Sequence, residues 1–279
     1  MLEIIEDTLI DAIKLLPFLF VTFLAMEYME HKLSDKSKAK IEKSGKYGPI
    51  VGSILGMFPQ CGFSVAATNL YATRVITLGT LISVYLATSD EMLPILISYK
   101  VDIVLIISIL ALKVIIGMIC GFLIDRFIRI KKDTEIKDFC DEEHCDCDHG
   151  ILKSTIKHTL NIFIFIVVAE FILNIIVSLT GFETLETIFM KNSIFGSFIT
   201  GLIGLLPNCA ASVVVTELYL NKVITFGSIM AGLLASAGVG LLVLFKTNKN
   251  IKENIQVVVM VYIMSVISGI VIDIIGMLI

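Results

Sequence analysis

Charge is what this sequence is short of. Asp, Glu, Lys and Arg make up 17% of its 279 residues, where a soluble domain carries about a quarter. Hydrophobic residues reach 56% and the mean hydropathy is +0.92, which excludes an ordinary water-soluble globule. Several motifs are lacking too. There is no Gly-x-x-x-x-Gly-Lys-Ser/Thr loop, so a built-in ATPase is not expected. Neither a His-Glu-x-x-His nor a Gly-x-Ser-x-Gly motif occurs, so the chain is not read as an enzyme of the membrane interior. Residues 1–11 hold Glu3, Glu6, Asp7 and Asp11, the reverse of the basic opening of a secretory signal, and no such signal is expected. Without export to an oxidising compartment, the six cysteines are not a disulfide scaffold.

What is present is apolar length. Crossing ~30 Å of hydrocarbon takes about 20 helical residues, and 105–123 and 162–179 are runs of that kind with one charged residue each. The chain also repeats itself. Residues 59–90 align with 207–238 without a gap at an offset of 148, and 13 of the 32 positions are identical, against roughly three expected from so biased a composition. The shared pattern is Pro-(Gln/Asn)-Cys-x-x-Ser-Val-x-x-Thr-x-Leu-Tyr-x-x-(Arg/Lys)-Val-Ile-Thr-x-Gly. At an offset of 143, Ile13-Lys14 matches Ile156-Lys157 and Glu27 falls on Glu170. The expected domains are a first membrane repeat over 1–130, a polar linker over 131–150 and a second repeat over 151–279.

Length and charge suggest how the repeats sit. Segments 48–58 and 61–73 are 11 and 13 residues, each spanning only ~16–20 Å as helix. Pro59 separates them, and proline breaks helices. The pair reads as a re-entrant hairpin with Pro59-Gln60-Cys61 at its tip, and 193–221 reads likewise with Pro207-Asn208-Cys209. Lys and Arg favour the cytoplasmic side. That side is assigned to the lysine-rich loop 31–47, to Arg74, to 126–132 and to Lys246, Lys249 and Lys252. A full crossing by 48–73 would put the basic run 126–132 outside. The expected fold is therefore an all-α integral membrane protein with two inverted-topology repeats, each having three transmembrane helices plus a re-entrant hairpin. The linker is expected in the cytoplasm of a plasma-membrane protein, with both termini external.

Ionisable groups inside a bilayer are costly and tend to face a cavity or one another. Glu27 and Glu170 stand on equivalent first helices, with snorkelling near a helix end as the plain alternative. Asp90 and Glu91 interrupt an apolar stretch at Thr88-Ser89-Asp90-Glu91, a run that reads as an N-cap where a broken helix restarts. Carbonyls and carboxylates there are ligands for a hard cation; an external loop ending at Lys100 is the other placement. Gly238 and Val239 occupy the equivalent positions in the second half, so an acidic site is asymmetric. Glu217 lies late in the second hairpin. Lys113 and Asp273 are a possible intramembrane ion pair. Cys61 and Cys209 recur beside the amides Gln60 and Asn208 and three residues before Ser64 and Ser212; they are either soft-ion ligands or small packing residues. In the linker, Cys140, His144, Cys145, Cys147 and His149 form a metal-capture tract, without the paired spacing of a structural zinc site. A solvated acidic linker is the alternative.

Taken together, Phe58-Pro59-Gln60-Cys61-Gly62, the run Leu86-Ala87-Thr88-Ser89-Asp90-Glu91-Met92-Leu93-Pro94, and Gly150-Ile151-Leu152-Lys153 with Lys157-His158-Thr159-Leu160 resemble the ten-segment heavy-metal exporter family. Its members carry the labels manganese transporter or arsenic efflux protein. Six crossings and four half-helices agree with its ten segments. The resemblance implies export of a metal or metalloid ion. The expected activity is secondary export of a divalent cation such as manganese by alternating access between the hairpin tips, with protons as a candidate coupling ion. Arsenite efflux and a passive ion channel built from opposed hairpins are the alternatives. No bound cofactor and no nucleic-acid partner are expected; the partners are the transported ion and the lipid, and no oligomeric state follows.

Overall fold

The structure is a computed structural model that describes residues 47–58, 61–89, 92–127, 195–207 and 209–278, with scattered positions between 16 and 24 and between 155 and 171. Among these residues every regular element is a helix. In chain order they are α1 (Gly48–Gly56), α2 (Cys61–Ala72), α3 (Leu78–Ala87), α4 (Met92–Ser98), α5 (Ile103–Phe127), α6 (Gly196–Gly204), α7 (Cys209–Leu220), α8 (Phe226–Ala235), α9 (Gly240–Thr247) and α10 (Ile251–Leu278).

Among the described residues four stretches are long and apolar enough to cross a membrane: Leu78–Ser98, Ile103–Phe127, Phe226–Thr247 and Ile251–Met277. The first joins α3 to α4 and the third joins α8 to α9, so two of the four are broken helices. Burial separates the two kinds. The broken spans are 75% and 89% buried inside the protein, whereas α5 and α10 are 28% and 22% buried. Ile107, Ile115 and Ile119 on α5, and Val259, Ile263 and Ile267 on α10, face outward. An apolar surface of that size is expected of a lipid-facing helix. The chain is a multi-pass membrane protein with its broken helices at the centre.

Small residues set the close packing within each half, as helices in lipid require. In α1, Gly48, Gly52 and Gly56 lie against α3; a Cβ at Gly52 would come within 2.6 Å of Ser83 Oγ, and one at Gly56 within 2.6 Å of the Val84 carbonyl. On the other side, a Cβ at Gly121 of α5 would come within 2.7 Å of the Gly79 carbonyl. α3 is thus held between α1 and α5, and α8 between α6 and α10.

The N-termini of α3 and α8 are built alike. Thr77 caps α3 by accepting from the Thr80 amide at 3.1 Å, and Thr225 caps α8 by accepting from the Ser228 amide at 3.1 Å. A carboxylate from the following long helix completes each cap. Asp125 accepts from the Gly79 amide and the Thr77 hydroxyl, at 2.9 and 2.7 Å; Asp273 accepts from the Gly227 amide and the Thr225 hydroxyl, at 2.8 and 2.7 Å. A negative charge there also complements the positive end of the helix dipole. α2 and α7 end alike, with Arg74 and Lys222 in the left-handed region at φ 64° and 58°. The Val75 amide then reaches back to Leu70 O at 2.8 Å and the Val223 amide to Leu218 O at 2.9 Å, as in Schellman caps. All these pairs differ by 148, so the repeat runs well past the 32 residues whose identities announce it.

The halves engage crosswise: α2 packs along α9, and α7 packs against α4. Leu86, Met92, Leu96, Leu233, Leu234 and Leu244 belong to one continuous core across that join.

Gly56→Val should lower the thermal midpoint of the purified protein, at a cost of about 1–3 kcal/mol for overpacking. Gly276→Ala should leave it unchanged, because nothing lies within 4 Å of a Cβ there. Equal midpoints for the two variants would contradict this packing.

Candidate functional site

A helix that stops inside a membrane leaves its last carbonyls without partners, and lipid offers no water to satisfy them. The site is therefore sought at the two interruptions, which begin at 88–89 after α3 and at 236–239 after α8. One side chain reaches both. Lys113, in the middle of α5 and 1% exposed, donates from Nζ to the Thr88 carbonyl and to the Leu233 carbonyl, the latter at 2.7 Å. Both acceptors belong to helix C-termini, where the dipole end is negative. Burying an ammonium is costly unless hydrogen bonds and opposing charge compensate; these two carbonyls do part of that.

Hydroxyls brace the same region. Ser89 Oγ donates to the Met57 carbonyl at 2.6 Å, tying the first break to the end of α1. Thr88 Oγ1 donates back to the Val84 carbonyl at 2.8 Å. Across the join, the hydroxyls of Thr68 on α2 and Tyr85 on α3 lie 2.6 Å apart, one donating to the other. The Gly240 carbonyl, 3.2 and 3.1 Å from them, accepts from the hydroxyl whose proton is left over. Gly240 opens α9, and a Cβ there would come within 2.9 Å of the Ser64 Cβ. The first turns of α2 and α9 therefore touch. Among the described residues, two buried side chains find no hydrogen-bond partner: both polar atoms of Asn69, and Ser236 Oγ inside the second break.

At the far end of α2, Arg74 forms an ion pair with Glu253 at the start of α10, with Nη2 2.8 Å from Oε2. Tyr71 donates to the same carboxylate, and the Arg74 guanidinium lies 5.3 Å from the Tyr71 ring centre. The hydrogen bond to Glu253 raises the Arg74 pKa above its ordinary value, outweighing burial. This contact links the first half to the second across one end of the molecule.

The residues expected from sequence fall into three groups. Ser64, Ser89 and Ser212 are buried near the breaks or one turn inside α2 and α7, and Lys113 lies at the join. Glu217 is half-buried on α7, two turns from its start. Cys61 and Cys209 are the first residues of α2 and α7; their side chains, and Glu27, Gln60, Asp90, Glu91, Glu170, Asn208 and the linker residues Cys140, His144, Cys145, Cys147 and His149, lie outside the described residues. The suggested Lys113–Asp273 pair is corrected. Asp273 caps the first turn of α8 while Lys113 binds a carbonyl in its last turn, so the two engage opposite ends of one helix.

Sequence reasoning passed over Asp125, Tyr85, Thr68, Asn69 and the Arg74–Glu253 pair. Asp125 was findable, since it aligns with Asp273 at the repeat's own offset. Among the described residues no three His, Cys, Asp or Glu side chains stand close enough to hold one metal ion. What the described part offers a cation is carbonyl and hydroxyl oxygen.

No curated protein matches the chain, and no solved structure does. One family model does match, over residues 1–182 and again over 177–278, and its description is "Putative, 10TM heavy-metal exporter". Between them the two segments span residues 1–278, and the apolar helices are consistent with the description: the chain belongs to this ten-transmembrane heavy-metal exporter family, ArsP_2.

Proposed function

We propose that the protein is a secondary exporter of a divalent metal cation such as manganese. The ion is held at the bilayer midplane between the helix breaks, and access alternates as one half rocks against the other. The observation that carries this reading is the meeting of both broken helices at Lys113, with the hairpin helices packed crosswise on the opposite halves. Broken helices converging at the midplane between inverted repeats are a recurring transporter design.

The inverted arrangement has geometric support. Arg74, just before α3, is bonded to Glu253, just after α9. The start of the first broken helix and the end of the second then share one face. The second broken helix starts from the other face, so the halves run opposite ways. Arg74, Lys246, Lys249 and Lys252 gather on the shared face, as a cytoplasmic side would have them. On this reading 48–72 and 196–220 are re-entrant hairpins whose tips bring Gln60, Cys61, Asn208 and Cys209 to the midplane.

Substrate preference follows from ligand chemistry. Carbonyl and carboxylate oxygen suit manganese, and thiolates suit a softer species such as arsenite. The oxygens at the breaks, followed in sequence by Asp90 and Glu91, favour the hard cation. Asp90, Glu91, Glu27 and Glu170 are the candidate proton carriers, and the linker tract from Cys140 to His149 delivers metal from the cytoplasm.

Combining Asp90→Asn with Glu91→Gln should cut manganese efflux from everted vesicles by at least about tenfold, the loss of some 1.4 kcal/mol of ion stabilisation; an unchanged rate would overturn the hard-cation site. Combining Cys61→Ser with Cys209→Ser should leave manganese efflux largely intact. If that pair abolished it, the thiols would be the ligands. Counterflow exchange in proteoliposomes distinguishes the exporter from a channel, which would give unitary currents in its place.

A further inference from the structure

Lys113 is a cation sitting where an exported cation would be coordinated. The residue is 1% exposed and its ammonium takes the Thr88 and Leu233 carbonyls, one from each broken helix. Backbone carbonyls are hard-oxygen ligands, and unwound segments and half-helix C-termini are where transporters bind cations. The lysine has no counterpart in the other half: at the repeat offset of 148 stands Val261, fully buried in α10. A pseudo-symmetric cradle of helix ends thus carries one tethered positive charge. Ser236, inside the second break and three residues after Leu233, has a buried hydroxyl oxygen with no hydrogen-bond partner among the described residues. It supplies a further oxygen at that break.

We propose that Lys113 is a built-in competitor of the transported ion, its ammonium and the metal cation occupying the Thr88 and Leu233 carbonyls in turn. The metal enters when the lysine side chain withdraws from these oxygens. The returning ammonium, covalently held at high local concentration, drives the metal off toward the far side. Tight binding and release are thereby separated. The lysine also keeps the two breaks joined when no metal is present, which closes the site to leakage. This proposal rests on the reading of the protein as a cation exporter, but its binding half is tested without transport.

The test is manganese binding to the purified full chain, by titration and by thermal shift, alongside manganese efflux from vesicles. Lys113→Ala frees the carbonyls and should bind manganese at least about tenfold more tightly than the unaltered protein. Lys113→Met, which retains the volume of the stem, should also gain affinity, and Lys113→Arg should not. Efflux by the Ala and Met variants should fall at least about tenfold, because bound metal is no longer expelled. Manganese affinity equal to or weaker than that of the unaltered protein in both neutral variants would overturn the proposal and leave Lys113 a structural tie. So would efflux by both at the unaltered rate. Should the affinity gain hold while the unaltered protein exports no metal, the competing site stands and the export reading fails.

Discussion

A carbonyl left open inside hydrocarbon has to find a donor from the protein itself. α3 and α8 both stop in the interior, and the carbonyls they leave would make each break unstable alone. Lys113 answers for one carbonyl of each helix with a single ammonium. That shared donor ties the two breaks together, and α2 packs crosswise on α9 and α7 on α4 between the same two halves. Removing the donor does not merely weaken a contact. It takes away the one donor that the Thr88 and Leu233 carbonyls share.

The rest of each half keeps the breaks in register. Closely fitted glycines fix α3 and α8 between their neighbours. The caps by Asp125 and Asp273 anchor the outer ends of the same helices through a carboxylate on the next crossing. A broken helix is therefore held at its start by a carboxylate and at its break by Lys113. The Arg74–Glu253–Tyr71 cluster closes one end of the join between the halves. It is a largely buried inter-half contact of charged groups at the edge of the apolar core, to which Tyr71 itself belongs.

Much of the architecture was legible in the sequence, because it rests on local signals. Pro59 and Pro207 mark the separations between short apolar segments, Thr88-Ser89 marks an interruption, and the shared motif marks the repeat. The left-handed turns at Arg74 and Lys222 and the threonine caps at Thr77 and Thr225 lie inside that motif, so its recurrence already encoded them. What stayed hidden depends on packing between distant segments. Asp273 read as an ion-pair partner because an isolated acid in an apolar helix invites one; its true role needs the amide of Gly227, 46 residues away. Tyr85 and Thr68 look like ordinary core residues until Gly240 is brought against them. Glu253 pairs with Arg74 across 179 positions, and nothing in local composition points to it.

The central claim is that the equivalent turns after α2 and α7 face opposite sides of the membrane. Single cysteines at Val75 and Val223, equivalent positions at the repeat offset, would be introduced after removing Cys61, Cys120, Cys140, Cys145, Cys147 and Cys209. They would then be labelled with a membrane-impermeant maleimide in intact cells and in everted vesicles. The account requires Val75→Cys to react only from the cytoplasmic face and Val223→Cys only from the external one. Reaction of both from the same face would contradict it.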